Sequence, residues 1–153
     1  MPAQLPFASL LSQVFGLKDF QQFSLLRRMV RDLDLPVKMV GAPLCREPDG
    51  LALSSRNVRL TPEQRVKALC ISAALRDAEA RVAASEQDAK KLEAGVFDAI
   101  AAAGGVVDYV SLRDRDTLQP IAKLNVPGVM LVAATFGSVR LLDNTELVSR
   151  VCC

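Results

Sequence analysis

Residues 13–40 of this 153-residue chain are QVFGLKDFQQFSLLRRMVRDLDLPVKMV, and this stretch predicts the fold of the first part of the protein. Apolar side chains recur at helical spacing over residues 19–34, which indicates an amphipathic helix that ends before Pro36. Short apolar runs at residues 13–15 and 37–40 flank the helix and predict strands. The strand–helix–strand order predicts a βαβ unit with two parallel strands.

The junction between the first strand and the helix is a candidate anion site. Free N–H groups at a helix start attract anions, Gly16 lets a ligand approach the backbone, and Lys18 adds a positive charge. Asp19 is expected to cap the helix in a capping box with Gln22, and its carboxylate is also able to accept hydrogen bonds from ribose. Spacing alone leaves a second interpretation open, in which Lys18 is solvated and Asp19 only caps.

Gln22 is expected to share a helix face with apolar side chains, those of Leu26, Met29 and Leu33. An amide at the head of an apolar stripe needs a hydrogen-bonding partner. That partner is the backbone, water or a ligand, and the sequence leaves the three alternatives open.

A second polar segment, Ser54-Ser55-Arg56-Asn57, follows the tight turn predicted at Pro48-Asp49-Gly50. Two hydroxyls and a guanidinium suit nucleotidyl transfer, because charge develops on phosphate oxygens in its transition state. The alternative is a turn whose serines bond to their own backbone. The chain contains no histidine, which excludes an imidazole base or ligand from within the chain and leaves the serines without an activating base.

We expect a domain boundary just after this segment. Residues 1–57 are interpreted as part of a Rossmann-like parallel α/β domain, and residues 58–153 as a small lid of helices and antiparallel sheet. Gly137-Ser138 suits a two-residue II′ hairpin turn. Helices are predicted over residues 62–84, with Thr61 and Gln64 at its start, and 89–103, and strands over residues 106–112, 129–135 and 139–142.

Composition limits the function classes. The chain has 19 basic and 17 acidic residues, a net charge of +2, which is too mild to predict nucleic-acid binding. No apolar run reaches the roughly 18 residues of a membrane span, and residues 1–15 do not resemble a signal peptide. The four cysteines, Cys45, Cys70, Cys152 and Cys153, lack metal-ligand spacing, so we expect no metal site and a reducing, cytoplasmic setting.

Three motifs occur in order: FGLKDFQQ at residues 15–22, LRRMVRDLDLPV at 26–37 and REPDGLALSSRN at 46–57. With this spacing, about residues 14–145 closely resemble the pantoate-beta-alanine ligase (pantothenate synthetase) family. The resemblance implies a Rossmann-like nucleotidyltransferase domain followed by a lid. It also implies condensation of pantoate with beta-alanine through a pantoyl-adenylate, with ATP and Mg²⁺ as cofactors, in pantothenate and coenzyme A biosynthesis.

The resemblance also implies roles for individual residues. Lys18 would hold phosphate, Asp19 ribose and Gln22 pantoate, while the backbone at Cys45 would border adenine. Residues 53–56 would form a KMSKS-like loop over the phosphates. The implied ATP-binding residues are Gly16, Leu17, Lys18, Asp19, Cys45, Leu53, Ser54, Ser55 and Arg56, and the implied catalytic residues are Lys18, Ser54, Ser55 and Arg56.

This chain departs from the family in one important respect. The family carries a histidine-containing motif in its first half, and we expect this chain to correspond to the C-terminal half only. The parallel sheet would then lack its leading strands and leave an apolar edge and helix face uncovered. We therefore expect little or no activity from the chain alone. The alternatives are a non-catalytic module that complements a separate N-terminal half, a truncated remnant, or a homodimer.

Overall fold

The computed structural model describes residues 11–149, which form two compact units that divide after Pro43. We call residues 11–43 the first unit and residues 44–149 the second unit. The expectation that residues 1–15 are not a signal peptide falls mostly on residues 1–10, which lie outside the described residues. Cys152 and Cys153 lie outside them as well. Residues 44–57 thus belong to the second compact unit, while the expected domain boundary between residues 57 and 58 stays a prediction.

The first unit is a strand–helix–strand motif. Its two strands are parallel, with Leu11 opposite Val37 and Gly16 opposite Ala42, which confirms the βαβ prediction. A short 3-10 turn, Leu17–Asp19, leads from the first strand into the helix. The elements are β1 (Leu11–Gly16), α1 (Phe20–Asp32) and β2 (Val37–Ala42).

The start of α1 differs from the prediction. The Asp19 side chain makes no capping hydrogen bond, so the expected capping box with Gln22 is wrong. Asp19 ends the 3-10 turn with φ −93° and ψ 63°, whereas a capping residue normally has an extended backbone. The turn therefore keeps the Asp19 carboxylate away from the N–H groups that it would cap.

The buried face of α1 is narrower than its apolar stripe. Phe20 and Phe23 are buried as the periodicity predicts, and Ser24 is buried with them. Leu33, by contrast, is 64% exposed. A two-stranded sheet offers little surface to cover a helix, so within residues 11–43 the buried side chains of α1 all lie in its first turns.

The second unit consists of an N-terminal hairpin segment, two helices and an antiparallel sheet. The strands lie in the order β3-β4-β5, and β4 is buried along almost its whole length. These findings confirm an α/β fold followed by a helix-plus-antiparallel-sheet lid. The elements are α2 (Pro62–Ala83), α3 (Ala89–Ala102), β3 (Val106–Asp114), β4 (Gly128–Phe136) and β5 (Val139–Leu147).

Local sequence signals define the ends of these elements. Thr61 and Gln64 form the predicted capping box, because the Thr61 hydroxyl accepts from the Gln64 N–H and the Gln64 amide oxygen accepts from the Thr61 N–H. Phe136 pairs with Val139 across the Gly137-Ser138 turn, in which Gly137 has φ +62°. That positive φ is what a II′ turn requires at its first central position.

One core joins the two helices of the second unit to its sheet. The predicted stripe of α3 is fully buried and consists of Ala89, Leu92, Val96 and Ile100. Leu75 of α2 and Phe136 of β4 pack in the same core. Among residues 11–149, no helix is both long enough and apolar enough to cross a membrane.

A partly buried ion pair attaches the hairpin segment to β5. Two Arg46 nitrogens donate to the two carboxylate oxygens of Asp143, at 2.7 and 3.0 Å. The Asp143 side chain is only 4% exposed, whereas Arg46 is 31% exposed. Because both carboxylate oxygens accept hydrogen bonds and the carboxylate is desolvated, losing this pair should lower the free energy of unfolding more than losing a surface ion pair.

Replacing Asp143→Asn is expected to lower the free energy of unfolding by about 2 to 3 kcal/mol, since it leaves the Arg46 charge without its counter-ion. Urea unfolding followed by circular dichroism measures the change. Asp108→Asn is the matched control, because Asp108 pairs with Arg140 at an exposed position and should cost less than about 1 kcal/mol. Equal losses in the two variants would contradict a special role for the Arg46–Asp143 pair.

Candidate functional site

The first group of candidate residues lies where β1 ends and α1 begins. Gly16, Leu17, Lys18 and Asp19 follow one another through the 3-10 turn, with Lys18 half-buried and Asp19 exposed. A Cβ at Gly16 would meet no atom within 4 Å, so the backbone here is open to a ligand. In open α/β sheets, ligands bind at this carboxyl end of the parallel strands.

Leu17 is positioned by a glycine that sequence reasoning missed. An ideal Cβ at Gly41 of β2 would lie 2.7 Å from Leu17 Cδ2 and 3.2 Å from Phe23 Cζ. A side chain at residue 41 would therefore displace Leu17 from its place in the turn. The available signal was the glycine next to the predicted strand at residues 37–40, since a glycine in a strand is typical of a close approach between segments.

Gln22 lies on an exposed part of α1. The residues expected to share its apolar face are themselves largely open to solvent, since Met29 is 44% exposed and Leu33 is 64% exposed. Within the first unit the Gln22 amide is therefore accessible to water, one of the three partners left open by the sequence, and its binding of a ligand stays a prediction. Gln22 is the third residue of α1 and lies close to the β1–α1 junction, as the sequence predicts.

The second group of candidate residues lies on the hairpin segment of the second unit. The Leu53 N–H donates to the Cys45 carbonyl at 2.9 Å, and Arg46 bridges to Ala52 in antiparallel fashion. The predicted turn closes this hairpin, because the Gly50 N–H donates to the Glu47 carbonyl at 2.8 Å. The structure thus brings Cys45 and Leu53 together, although seven residues separate them in sequence.

Ser54, Ser55 and Arg56 begin a short 3-10 turn, Ser55–Arg59. The Ser54 hydroxyl oxygen accepts from the Arg56 N–H at 3.3 Å, which is the backbone-bonding alternative considered for these serines. That bond leaves the hydroxyl proton of Ser54 able to donate elsewhere. Ser55 and Arg56 are exposed, so a hydroxyl and a guanidinium are both open to a ligand.

A polar cluster that sequence reasoning did not identify lies beneath this turn. The Asn57 side-chain nitrogen donates to Glu47 Oε1 at 2.6 Å and to the Ala52 carbonyl at 3.0 Å. Arg65 of α2 donates to Glu47 Oε2 at 2.5 Å and to Asp49 Oδ2 at 2.7 Å. Asn57, Glu47 and Asp49 all fall within the third sequence motif, but nothing in the spacing indicates that Arg65 joins them.

The cluster lowers the pKa of both carboxyl groups. Hydrogen bonds from Asn57 and then from Arg65 hold the pKa of Glu47 below its usual value. The backbone N–H of Leu51, followed by Arg65, does the same for the pKa of Asp49. The two carboxylates in turn raise the pKa of Arg65. All three groups are therefore charged at neutral pH.

The two groups of candidate residues belong to different units: residues 16–22 to the first and residues 45–56 to the second. Within residues 11–149, no three His, Cys, Asp or Glu side chains are grouped so that they could hold a metal ion. The described residues provide a helix start beside Lys18 in one unit and an exposed serine–arginine turn in the other.

Comparison with known proteins relates these motifs to a family. The family model described as pantoate-beta-alanine ligase matches residues 9–146. The chain belongs to this family. Pantothenate synthetase from Anaeromyxobacter dehalogenans (strain 2CP-C) is 50% identical over 134 residues, covering 88% of this chain and 46% of that protein. Pantoate-beta-alanine ligase from Oryza sativa subsp. japonica is 44% identical over 137 residues, covering 90% of this chain and 44% of its own length.

Solved structures of pantoate-beta-alanine ligases are similar to this chain. Pantothenate synthetase from Thermus thermophilus superimposes with a TM-score of 0.83 at 38% identity, covering 90% of this chain and 50% of that chain. The ligase from Francisella tularensis, solved in complex with beta-gamma ATP and beta-alanine, superimposes with a TM-score of 0.62 at 30% identity. The match covers 88% of this chain and 42% of that chain. The chain spans about half the length of the curated relatives it matches.

Proposed function

We propose that this chain carries part of the ATP and pantoate site, together with the lid, of a pantoate-beta-alanine ligase that works in pantothenate biosynthesis in the cytoplasm. The observation that carries the proposal is the β1–α1 junction, where an open backbone, a helix start and Lys18 coincide within a matched family motif. The Francisella tularensis relative, solved with beta-gamma ATP and beta-alanine, supports the choice of ligands.

In the proposed first step, the pantoate carboxylate attacks the α-phosphorus of ATP, which gives pantoyl-adenylate and releases pyrophosphate. Negative charge moves onto phosphate oxygens as the bond to pyrophosphate breaks. Lys18 and Arg56 would stabilise that charge, and the hydroxyls of Ser54 and Ser55 would donate hydrogen bonds to it. Mg²⁺ would enter with ATP and neutralise its phosphates.

The remaining residues of the proposed site would place the substrates. Asp19 would accept hydrogen bonds from the ribose, the exposed Gln22 amide would bind pantoate, and the hairpin backbone at Cys45 and Leu53 would border the adenine. In the second step the amine of beta-alanine attacks the adenylate carbonyl, which forms the amide of pantothenate and releases AMP. Holding both reactants in place lowers the entropic cost of each attack.

Two measurements on the purified chain test this proposal. The chain alone is expected to bind labelled ATP, yet to catalyse pantoate-dependent exchange of labelled pyrophosphate into ATP at or near background, because it has no histidine to assist the transition state. Absence of ATP binding by the folded chain would contradict the proposed nucleotide site. Steady AMP formation with pantoate and beta-alanine would contradict the expectation of weak activity.

A second proposed function is that of a non-catalytic half that complements a separate N-terminal half. Exposed apolar side chains of the first unit favour it, since large patches of this kind are typical of interaction surfaces. These side chains are between 40% and 67% exposed and comprise Leu11, Val14, Leu25, Met29, Leu33 and Leu35. A homodimer would cover the same surface, and sedimentation of the chain alone separates these alternatives.

A further inference from the structure

The loop of residues 53–56 is closed by a single buried side chain. Asn57, at the end of the loop, donates to the carbonyl of Ala52, at its beginning, at 3.0 Å. The same nitrogen donates to Glu47 on the other arm of the hairpin at 2.6 Å. Asn57 is only 3% exposed, so water does not compete for these bonds. Its side chain therefore links the two ends of the loop, together with the backbone bond from the Asn57 N–H to the Ser54 carbonyl at 3.0 Å.

Arg65 connects this closed loop to the core of the second unit. It lies in the first turn of α2, next to the capping box, and α2 buries Ala68 and Ile71 immediately after it. Its guanidinium contacts Glu47 at 2.5 Å, where the hairpin turn begins, and Asp49 at 2.7 Å, within the turn. The hairpin is thus attached to a helix whose own position is set by packing.

The guanidinium of Arg65 is already paired with two acidic side chains. Two carboxylates already accept from its guanidinium, so Arg65 is a poor candidate to bind phosphate itself. Arg56, in contrast, is exposed at the loop surface. The cluster therefore acts on the shape of the loop and leaves phosphate contact to the residues that the loop presents.

We propose that Glu47, Asn57 and Arg65 are positioning residues that hold the Ser54-Ser55-Arg56 loop in the conformation that receives the phosphates of ATP. This inference rests on the proposed nucleotide-binding function. A loop that is held before the ligand arrives does not lose conformational entropy on binding, so ATP binds more tightly to it. The cluster holds the loop that would receive the phosphates, so we expect the phosphates of ATP to depend on it more than the adenosine, which the hairpin backbone at Cys45 and Leu53 would border.

Arg65→Met and Arg65→Lys in the full chain test the proposal. Arg65→Met is expected to increase hydrogen exchange at the amides of Arg56 and Asn57 by about tenfold and to weaken ATP binding by about five- to tenfold, with adenosine binding weakened by less than about twofold. Arg65→Lys keeps the positive charge but cannot donate from a planar guanidinium to both Glu47 and Asp49, so both effects should be smaller than in Arg65→Met. Arg140→Met, which removes an exposed ion pair with Asp108, is the matched control and should change neither measurement.

The outcomes separate this proposal from the function on which it rests. Unchanged amide exchange in Arg65→Met overturns the proposal, and so does equal weakening of ATP and adenosine binding, which would indicate general loss of structure. Faster exchange with unaltered ATP affinity also overturns it, because the loop shape would then not matter to the ligand. Absence of ATP binding by the unsubstituted chain overturns the proposed function itself, whatever the exchange rates are.

Discussion

Adding the part of Anaeromyxobacter dehalogenans pantothenate synthetase that this chain does not match, as a separate polypeptide, is expected to raise pantoate-dependent pyrophosphate exchange at least about a hundredfold above that of the chain alone. The chain spans 46% of that relative and has no histidine, so groups that stabilise the transition state would come from the added polypeptide. Removing even one such group from a preorganised site commonly costs about a hundredfold in rate.

The expected gain depends on the apolar surface of the first unit. Leu25 is 67% exposed on α1, and burying such a side chain in an interface contributes about 1.5 to 2 kcal/mol. Leu25→Gln should therefore weaken association of the two polypeptides by roughly tenfold, as measured by the concentration that gives half-maximal exchange. Arg28→Gln is the matched control, because it introduces the same side chain at an exposed position about one turn further along α1. It should change the half-maximal concentration by less than about twofold.

The results distinguish three interpretations of the chain. A gain in exchange that Leu25→Gln weakens supports the complementing half. A gain that Leu25→Gln leaves unaltered shows that association uses another surface. No gain, from two folded polypeptides that do not associate, argues against complementation.

Arg56→Ala is expected to lower the rate of exchange in the reconstituted pair by about a hundredfold. The guanidinium is exposed at the start of the 3-10 turn, where it can donate two parallel hydrogen bonds to phosphate oxygens as their charge increases. Because these bonds are strongest in the transition state, the loss should appear mainly in kcat, with a smaller change in KM for ATP.

Arg59→Ala is the matched control for this prediction. Arg59 is exposed in the same 3-10 turn and carries the same charge, but it lies outside the serine–arginine segment. Its removal should change kcat by less than about twofold. Similar losses for both variants would mean that the turn contributes only general positive charge, and the specific role proposed for Arg56 would be wrong.

Sequence periodicity and capping signals predicted most elements of the fold. The strands flanking α1, the helices α2 and α3 and the three antiparallel strands all occur where they were predicted, although β5 continues five residues beyond its predicted end, to Leu147. The helix start at Thr61 and the turn at Gly137 were predictable because the determining bonds join residues at most three positions apart. The error at Asp19 arose because a 3-10 turn precedes α1, and the sequence pattern does not distinguish it from a direct helix start.

The candidate site was predictable as a set of positions. Lys18 and the Ser54-Ser55-Arg56 segment were identifiable from their motifs, but the roles proposed for them await the measurements above. The periodicity of α1 did not predict exposure of Gln22, because an apolar stripe is buried only where other elements exist to cover it, but the half-length resemblance to the family did predict an uncovered helix face. The contribution of Gly41 to the placement of Leu17 likewise depends on how closely β2 approaches the turn.

By itself, the sequence determined the order of elements, most of their ends and the family to which the chain belongs, since each depends on residue types at short, regular spacing. Only the tertiary structure decided which charges meet. Arg46 reaches Asp143 across 97 positions, and Arg65 reaches back to Glu47 across 18 positions. Such partners are chosen by the packing of helices against a sheet, because a charged side chain finds its counter-ion only after burial has brought their segments together.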